Sequence, residues 1–72
     1  MPKLPRISGD DTIAKLERNG YRAVRQTGSH VRLRSGDGRN PLTVPRHKEL
    51  KSGLLRKILK DAELTVEEFI VL

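Results

Sequence analysis

The chain has no cysteine and no tryptophan, and its 72 residues include one tyrosine, one phenylalanine and two histidines. Without cysteine, neither a disulfide nor a thiolate metal site can supplement the core, and a reducing cytoplasm is the compartment that fits. The two histidines, His30 and His47, have Asp37 and Glu49 as their nearest acids in sequence. That inventory assembles neither a zinc-ligand spacing nor a Ser-His-Asp set, so no metal or other cofactor is expected. Two aromatic side chains make no platform for stacking successive bases, which argues against an RRM-like or OB-like reader. No apolar run approaches a membrane span, and the start Met1-Pro2-Lys3-Leu4-Pro5-Arg6 has no hydrophobic stretch of the kind a signal peptide needs. A cytoplasmic protein with no membrane partner is therefore expected. Gly36-Asp37-Gly38 lacks the lysine and helix of a phosphate loop and reads as a hairpin turn.

What the chain does have is positive charge, unevenly spread. Residues 1–60 carry all fifteen Lys and Arg against five acids, a net +10, whereas residues 61–72 carry four acids and no base, a net −4. A compact basic body with a pI near 10.3 is the electrostatic footprint of a partner of polyanions, nucleic acid above all. The length allows one domain over residues 1–72. A chain this short buries only about 60% of its unfolded surface, and a net stability of about 3–5 kcal/mol is expected.

Ser8-Gly9-Asp10-Asp11 has the marks of a helix start: Ser8 as cap, and two acids at the positive end of the dipole. Asn19-Gly20 supplies the stop, so a first helix is predicted over residues 9–19. Tyr21 to Gln26 reads as a strand whose facing is ambiguous, since Tyr21 and Ala23 fall on one side and Val24 on the other. Thr27-Gly28-Ser29 turns the chain into the strand Val31-Arg32-Leu33-Arg34. Ser35 to Asn40 is a second turn, and Leu42-Thr43-Val44 a short third strand. Leu54, Leu55, Ile58 and Leu59 make the apolar stripe of a second helix from about Lys51-Ser52 to Asp61. Thr65-Val66-Glu67-Glu68 repeats the capping-box spacing and predicts one more helical turn, with Phe69-Ile70-Val71-Leu72 packing on the core. The expected fold is α+β, in the order α-β-β-β-α. A three-stranded antiparallel sheet has both helices on one face, a short C-terminal helix follows, and the other face stays open.

The open face is where chemistry is concentrated. With period two, Val31 and Leu33 point inward while His30, Arg32 and Arg34 stand in a row with Thr43 beside them. Histidine changes charge near neutral pH, and guanidinium is shaped to grip phosphate. In RNA cleavage the nucleophile is the substrate's own 2′-hydroxyl. The protein then needs a proton acceptor or donor and cations for the charge building on phosphorus. His30 can fill the first role and Arg25, Arg32, Arg34 or Arg46 the second, with the amides of Gly28 and Ser29 as further anion donors. The plainer alternatives are that His30 is an ordinary turn residue, that Arg32 and Arg34 keep a sheet face soluble, and that His47 makes a local hydrogen bond.

Over nearly its whole length the chain also resembles a known family, the HicA-type toxins, small mRNA interferases of bacterial and archaeal toxin–antitoxin systems. The stretches that carry the likeness are Leu16-Glu17-Arg18-Asn19-Gly20-Tyr21, Val24-Arg25-Gln26-Thr27-Gly28-Ser29-His30, Val44-Pro45-Arg46-His47 and Lys51-Ser52-Gly53-Leu54-Leu55-Arg56-Lys57-Ile58-Leu59. The resemblance implies a double-stranded-RNA-binding-domain fold and a metal-independent endoribonuclease that cleaves mRNA. It also implies a catalytic histidine at Gly-Ser-His, which falls on His30, and a HicB-type antitoxin that masks the site. Arg25, Ser29, Arg32, Arg34, Arg46 and His47 are the residues expected to contact RNA. The competing readings are a non-catalytic RNA-binding module of the same fold, using Lys57 and Lys60 of the second helix, and an adaptor whose basic face meets an acidic protein.

Overall fold

The computed structural model describes residues 3–72; Met1 and Pro2, the first residues of the expected 1–72 domain and of its non-hydrophobic start, lie outside the described residues. The elements are α1 (Gly9–Arg18), β1 (Tyr21–Thr27), β2 (His30–Ser35), β3 (Leu42–Pro45), α2 (Ser52–Asp61) and α3 (Val66–Ile70). The strands form one antiparallel sheet in the order β1-β2-β3, so the expected α-β-β-β-α arrangement and its open sheet are the observed ones. Among the described residues no helix is long and apolar enough to cross a membrane.

Local chemistry accounts for the helix ends. The Ser8 hydroxyl accepts from the Asp11 amide at 3.0 Å, and Asp10 and Asp11 sit in the first turn of α1. Gly20, at φ 98°, takes the left-handed conformation that a side chain disfavours just after a helix. Thr65 and Glu68 form a reciprocal capping box: the Thr65 hydroxyl accepts from the Glu68 amide at 3.1 Å, and the Glu68 carboxylate accepts from the Thr65 amide at 2.8 Å. Those two contacts hold the Glu68 carboxyl below its ordinary range, the Thr65 amide being the larger cause.

Val31 and Leu33 of β2 and Leu42 and Val44 of β3 bury one side of the sheet against Leu16 of α1, Leu55, Ile58 and Leu59 of α2 and Phe69 of α3. Thr12 is fully buried in α1 without cost, because its hydroxyl donates to the Ser8 carbonyl at 2.8 Å. The C-terminal expectation needs correction. Phe69 is fully buried and Leu72 packs against the core, but Ile70 and Val71 are exposed. A helix only five residues long presents one apolar position per turn to the core, so neighbours of Phe69 point to solvent. The end of the chain is held instead through its backbone, where Lys15 Nζ donates to the main-chain oxygens of Ile70 at 3.1 Å and Leu72 at 2.9 Å.

The second turn is also more than a turn. Arg39 folds inward until its side chain is only 14% exposed. Its guanidinium donates to the Asp37 carboxylate at 2.9 Å, the Ala62 carbonyl at 3.1 Å, the Asn19 carbonyl at 2.6 Å and the Asn19 side chain. It also lies 4.8 Å above the Tyr21 ring. One side chain thus joins the ends of α1 and α2 to the start of β1.

Candidate active site on the open sheet face

The site begins with a tight turn. β1 and β2 are joined by Gly28-Ser29 alone, with Thr27 paired to His30 across the closing position. Gly28 sits at φ 59° in the first place of this two-residue loop, the conformation in which a primed hairpin turn prefers glycine. His30 is therefore the first residue of β2, exposed and aimed by the shortest connection an antiparallel pair can have.

The ambiguous facing of β1 has a structural cause. Pairing runs Ala23 to Leu33 and then Arg25 to Arg32, so a bulge at Val24 inserts one residue and resets the alternation. Strict alternation would send Tyr21, Ala23 and Arg25 to the same side. Because of the bulge, Tyr21 goes into the core and Arg25 comes out opposite Arg32. The result is a groove of about 600 Å³ lined by Val24, Arg25, Thr27, His30, Arg32, Arg34 and Thr43. Val24 and Thr27 were missed by residue-level reading; the signal, an extra residue in a strand whose two faces could not be reconciled, was present.

The electrostatics of this face are one-sided. Arg25 stands directly opposite Arg32, and Arg22 directly opposite Arg34. Like charges directly opposite one another are destabilising. Among the described residues none of these four arginines forms an ion pair. The carboxylate partners go elsewhere: Glu49 to Arg6, Asp37 to Arg39, Asp10 to Arg46 and Asp61 to Lys57. Arg32 is steadied by a neutral group, donating to the Thr43 hydroxyl at 3.1 Å. No group of three His, Cys, Asp or Glu side chains suited to a metal ion occurs among the described residues.

The remaining expected contacts do not all join the groove. Ser29 is exposed in the turn, and its carbonyl accepts from the Arg46 amide at 2.7 Å. Arg46 turns its guanidinium to the helix side, where it donates to Asp10 at 2.8 Å and to the Gln26 side chain at 3.3 Å; the Asp10 contact raises its pKa further above the usual arginine range. It is thus an engaged cation away from the groove. His47 is not one of the groove's lining residues but stands beside one of them, its ring centroid 6.4 Å from that of His30 with the two planes at 76°.

Two backbone contacts pin the segment that carries His47. The amide of Gly9 donates to the His47 carbonyl at 2.8 Å, and the amide of Leu50 donates to the Ile7 carbonyl at 2.9 Å. Gly9 is required there, since a Cβ at this position would lie 1.9 Å from the Pro45 carbonyl oxygen.

A family model described as HicA toxin of bacterial toxin-antitoxin matches residues 9–64, a span that runs from the start of α1 past the end of α2 and contains the whole groove. No curated protein matches the chain.

Proposed function

As a member of the HicA toxin family, the chain is the toxin of a pair with a cognate antitoxin, and we propose that it is an endoribonuclease that cleaves mRNA on its open sheet face. The observation that carries this reading is the placing of one exposed imidazole, His30, in a groove with Arg25, Arg32 and Arg34 and with no carboxylate lining it. Unpaired guanidiniums have spent none of their hydrogen-bonding capacity on carboxylates of the protein. A phosphodiester entering the groove both meets donors and relieves the repulsion between Arg25 and Arg32.

In the proposed reaction the phosphate rests among these arginines, which stabilise the added negative charge on phosphorus as the fifth oxygen bonds. The nucleophile is the ribose 2′-hydroxyl of the substrate, and His30 handles a proton of that displacement. No step calls for a metal ion. A HicB-type antitoxin would cover the same face with acidic or polar groups, so RNA and antitoxin compete for it. The place of action is the cytoplasm, where mRNA and antitoxin are found together.

The test uses the purified chain and labelled single-stranded RNA. Cleavage is expected to persist in excess chelator, to leave a 2′,3′-cyclic phosphate, and to stop when the nucleotide at the cut carries 2′-deoxyribose. Loss of activity on metal removal, or cutting of an all-DNA strand, would replace this reaction with another. RNA that binds but is never cut would favour the non-catalytic module.

A further inference from the structure

Phosphodiester cleavage by an internal hydroxyl moves two protons. One leaves the 2′-oxygen as its electron pair bonds to phosphorus; the other must reach the 5′-oxygen as the P–O5′ bond breaks. A single histidine can assist only one of these at a time. The geometry points to His47 as the group that assists the other, an assignment that rests on the endoribonuclease reading above.

Three observations support the pairing. First, the rings of His30 and His47 are 6.4 Å apart and edge-on at 76°, so neither is stacked flat against the other. The attacking and leaving oxygens lie on opposite sides of phosphorus in an in-line displacement. Two groups each within about 2.6–3.2 Å of one of those oxygens must themselves stand several ångströms apart. Second, the position of His47 is built into the fold. Pro45 pairs with His30 across the sheet, the Arg46 amide donates to the Ser29 carbonyl, and the Gly9 amide donates to the His47 carbonyl. Third, all those ties use backbone atoms or glycine's lack of a side chain. His47 is exposed and its position is fixed without help from its ring, so nothing in the fold's own stability accounts for an imidazole there.

Charge around the pair suits the division of labour. Arg25, Arg32 and Arg34 line the groove with His30, while Glu49, two residues after His47, is paired with Arg6 and Asp10 is held by Arg46. Among the described residues neither imidazole is paired with a carboxylate. The balanced step is then complete within the protein and substrate: one imidazole accepts the 2′-proton, and the other, as imidazolium, gives its proton to O5′. The products are a 2′,3′-cyclic phosphate and a 5′-hydroxyl end.

The discriminating experiment replaces the bridging 5′-oxygen at the mapped cut site of a short RNA with sulfur. A thiolate leaves without being protonated, so the sulfur substrate bypasses whichever histidine serves as acid and leaves the base still needed. His30→Ala and His47→Ala are each expected to lose about 10²–10⁴-fold in kcat on ordinary RNA. Sulfur should restore one of the two variants toward wild type and leave the other impaired. Affinity of His47→Ala for an uncleavable 2′-deoxy strand should match wild type, and His47→Gln should behave as His47→Ala does. Both variants should melt with wild type, since position 47 is tied through its carbonyl.

A His47→Ala chain as active as wild type would overturn the pairing. So would the same response of both variants to sulfur, or a loss explained wholly by weaker binding. Any of these results with an active wild type leaves the endoribonuclease reading standing, whereas a wild type inert on RNA defeats that reading and the pairing with it.

Discussion

Arg39 and the groove arginines put one residue type to opposite uses. Arg39 is enclosed, saturated with acceptors and stacked on Tyr21; Arg25, Arg32 and Arg34 face outward with no carboxylate partner. At the first place the chain has matched a cation with everything it needs, and removing it takes this donor from the part-buried carbonyls of Asn19 and Ala62. At the second the charge is left over, and two like-charged cross-strand pairs are tolerated. A domain with only about 3–5 kcal/mol of net stability has little room for idle repulsion, so the groove reads as a surface kept for an external anion.

The sharpest way to break the contrast is at the chemistry. His30→Ala should lower RNA cleavage by about 10²–10⁴-fold with an unchanged melting temperature. A folded variant with full activity would remove the groove from the reaction. Next comes Arg39→Ala, which strips a charged donor from Asn19 and Ala62 and should cost about 2–3 kcal/mol in urea unfolding. A cost under about 0.5 kcal/mol would erase the distinction between the two regions. Smaller again, Arg32→Ala or Arg34→Ala should leave stability level or slightly raised. Each should flatten the salt dependence of RNA binding by about 0.7 in log–log slope for every phosphate that the variant no longer neutralises. Unchanged slopes in both would mean that RNA does not lie along this face.

The smallest expected effect is in acid. The Arg39 guanidinium, with help from the Ser35 hydroxyl and the Arg39 amide, holds the Asp37 carboxyl down from 3.8 to about 2. A carboxyl lowered by folding contributes stability that is present above its unfolded pKa and is lost as pH falls through its folded one. The melting temperature should therefore decline between about pH 4 and pH 2, and Asp37→Asn should make that decline shallower. A parallel decline in the variant would move the acid sensitivity to other carboxylates, such as Asp61, which is lowered chiefly by its contact with Lys57.

Much of this architecture is legible in the sequence. The Ser8 and Thr65 caps, the Asn19-Gly20 stop and the alternation of Val31 and Leu33 with His30, Arg32 and Arg34 are local signals, and local chemistry decides them. Elsewhere the deciding partner is distant along the chain. The Val24 bulge depends on pairing with β2, so the facing of β1 cannot be settled from β1 alone. Arg39 sits in a Gly-rich turn that announces only flexibility; its partners Asn19 and Ala62 are 20 and 23 residues away. Arg46 has the look of one more cation for phosphate until Asp10 is seen beside it. Gly9, an unremarkable helix start in sequence, is fixed by the carbonyl of Pro45, a residue of the last strand.

The Arg39 corner also bears on how long a folded molecule lasts. Apart from Asp37 in its own turn, its acceptors belong to the ends of α1 and α2, 20 and 23 residues away, and we expect them to be reached late in folding. An interaction that forms after the barrier in folding breaks before it in unfolding, so its strength is expressed in the unfolding rate alone. In a chevron plot Arg39→Ala should raise the unfolding limb by roughly 30- to 150-fold and leave the folding limb where it is. A drop in the folding limb would put the corner in the nucleus instead. On the first outcome, a single side chain far from the groove sets the lifetime of the native state, and so the time for which each copy of the toxin can act before proteolysis removes it.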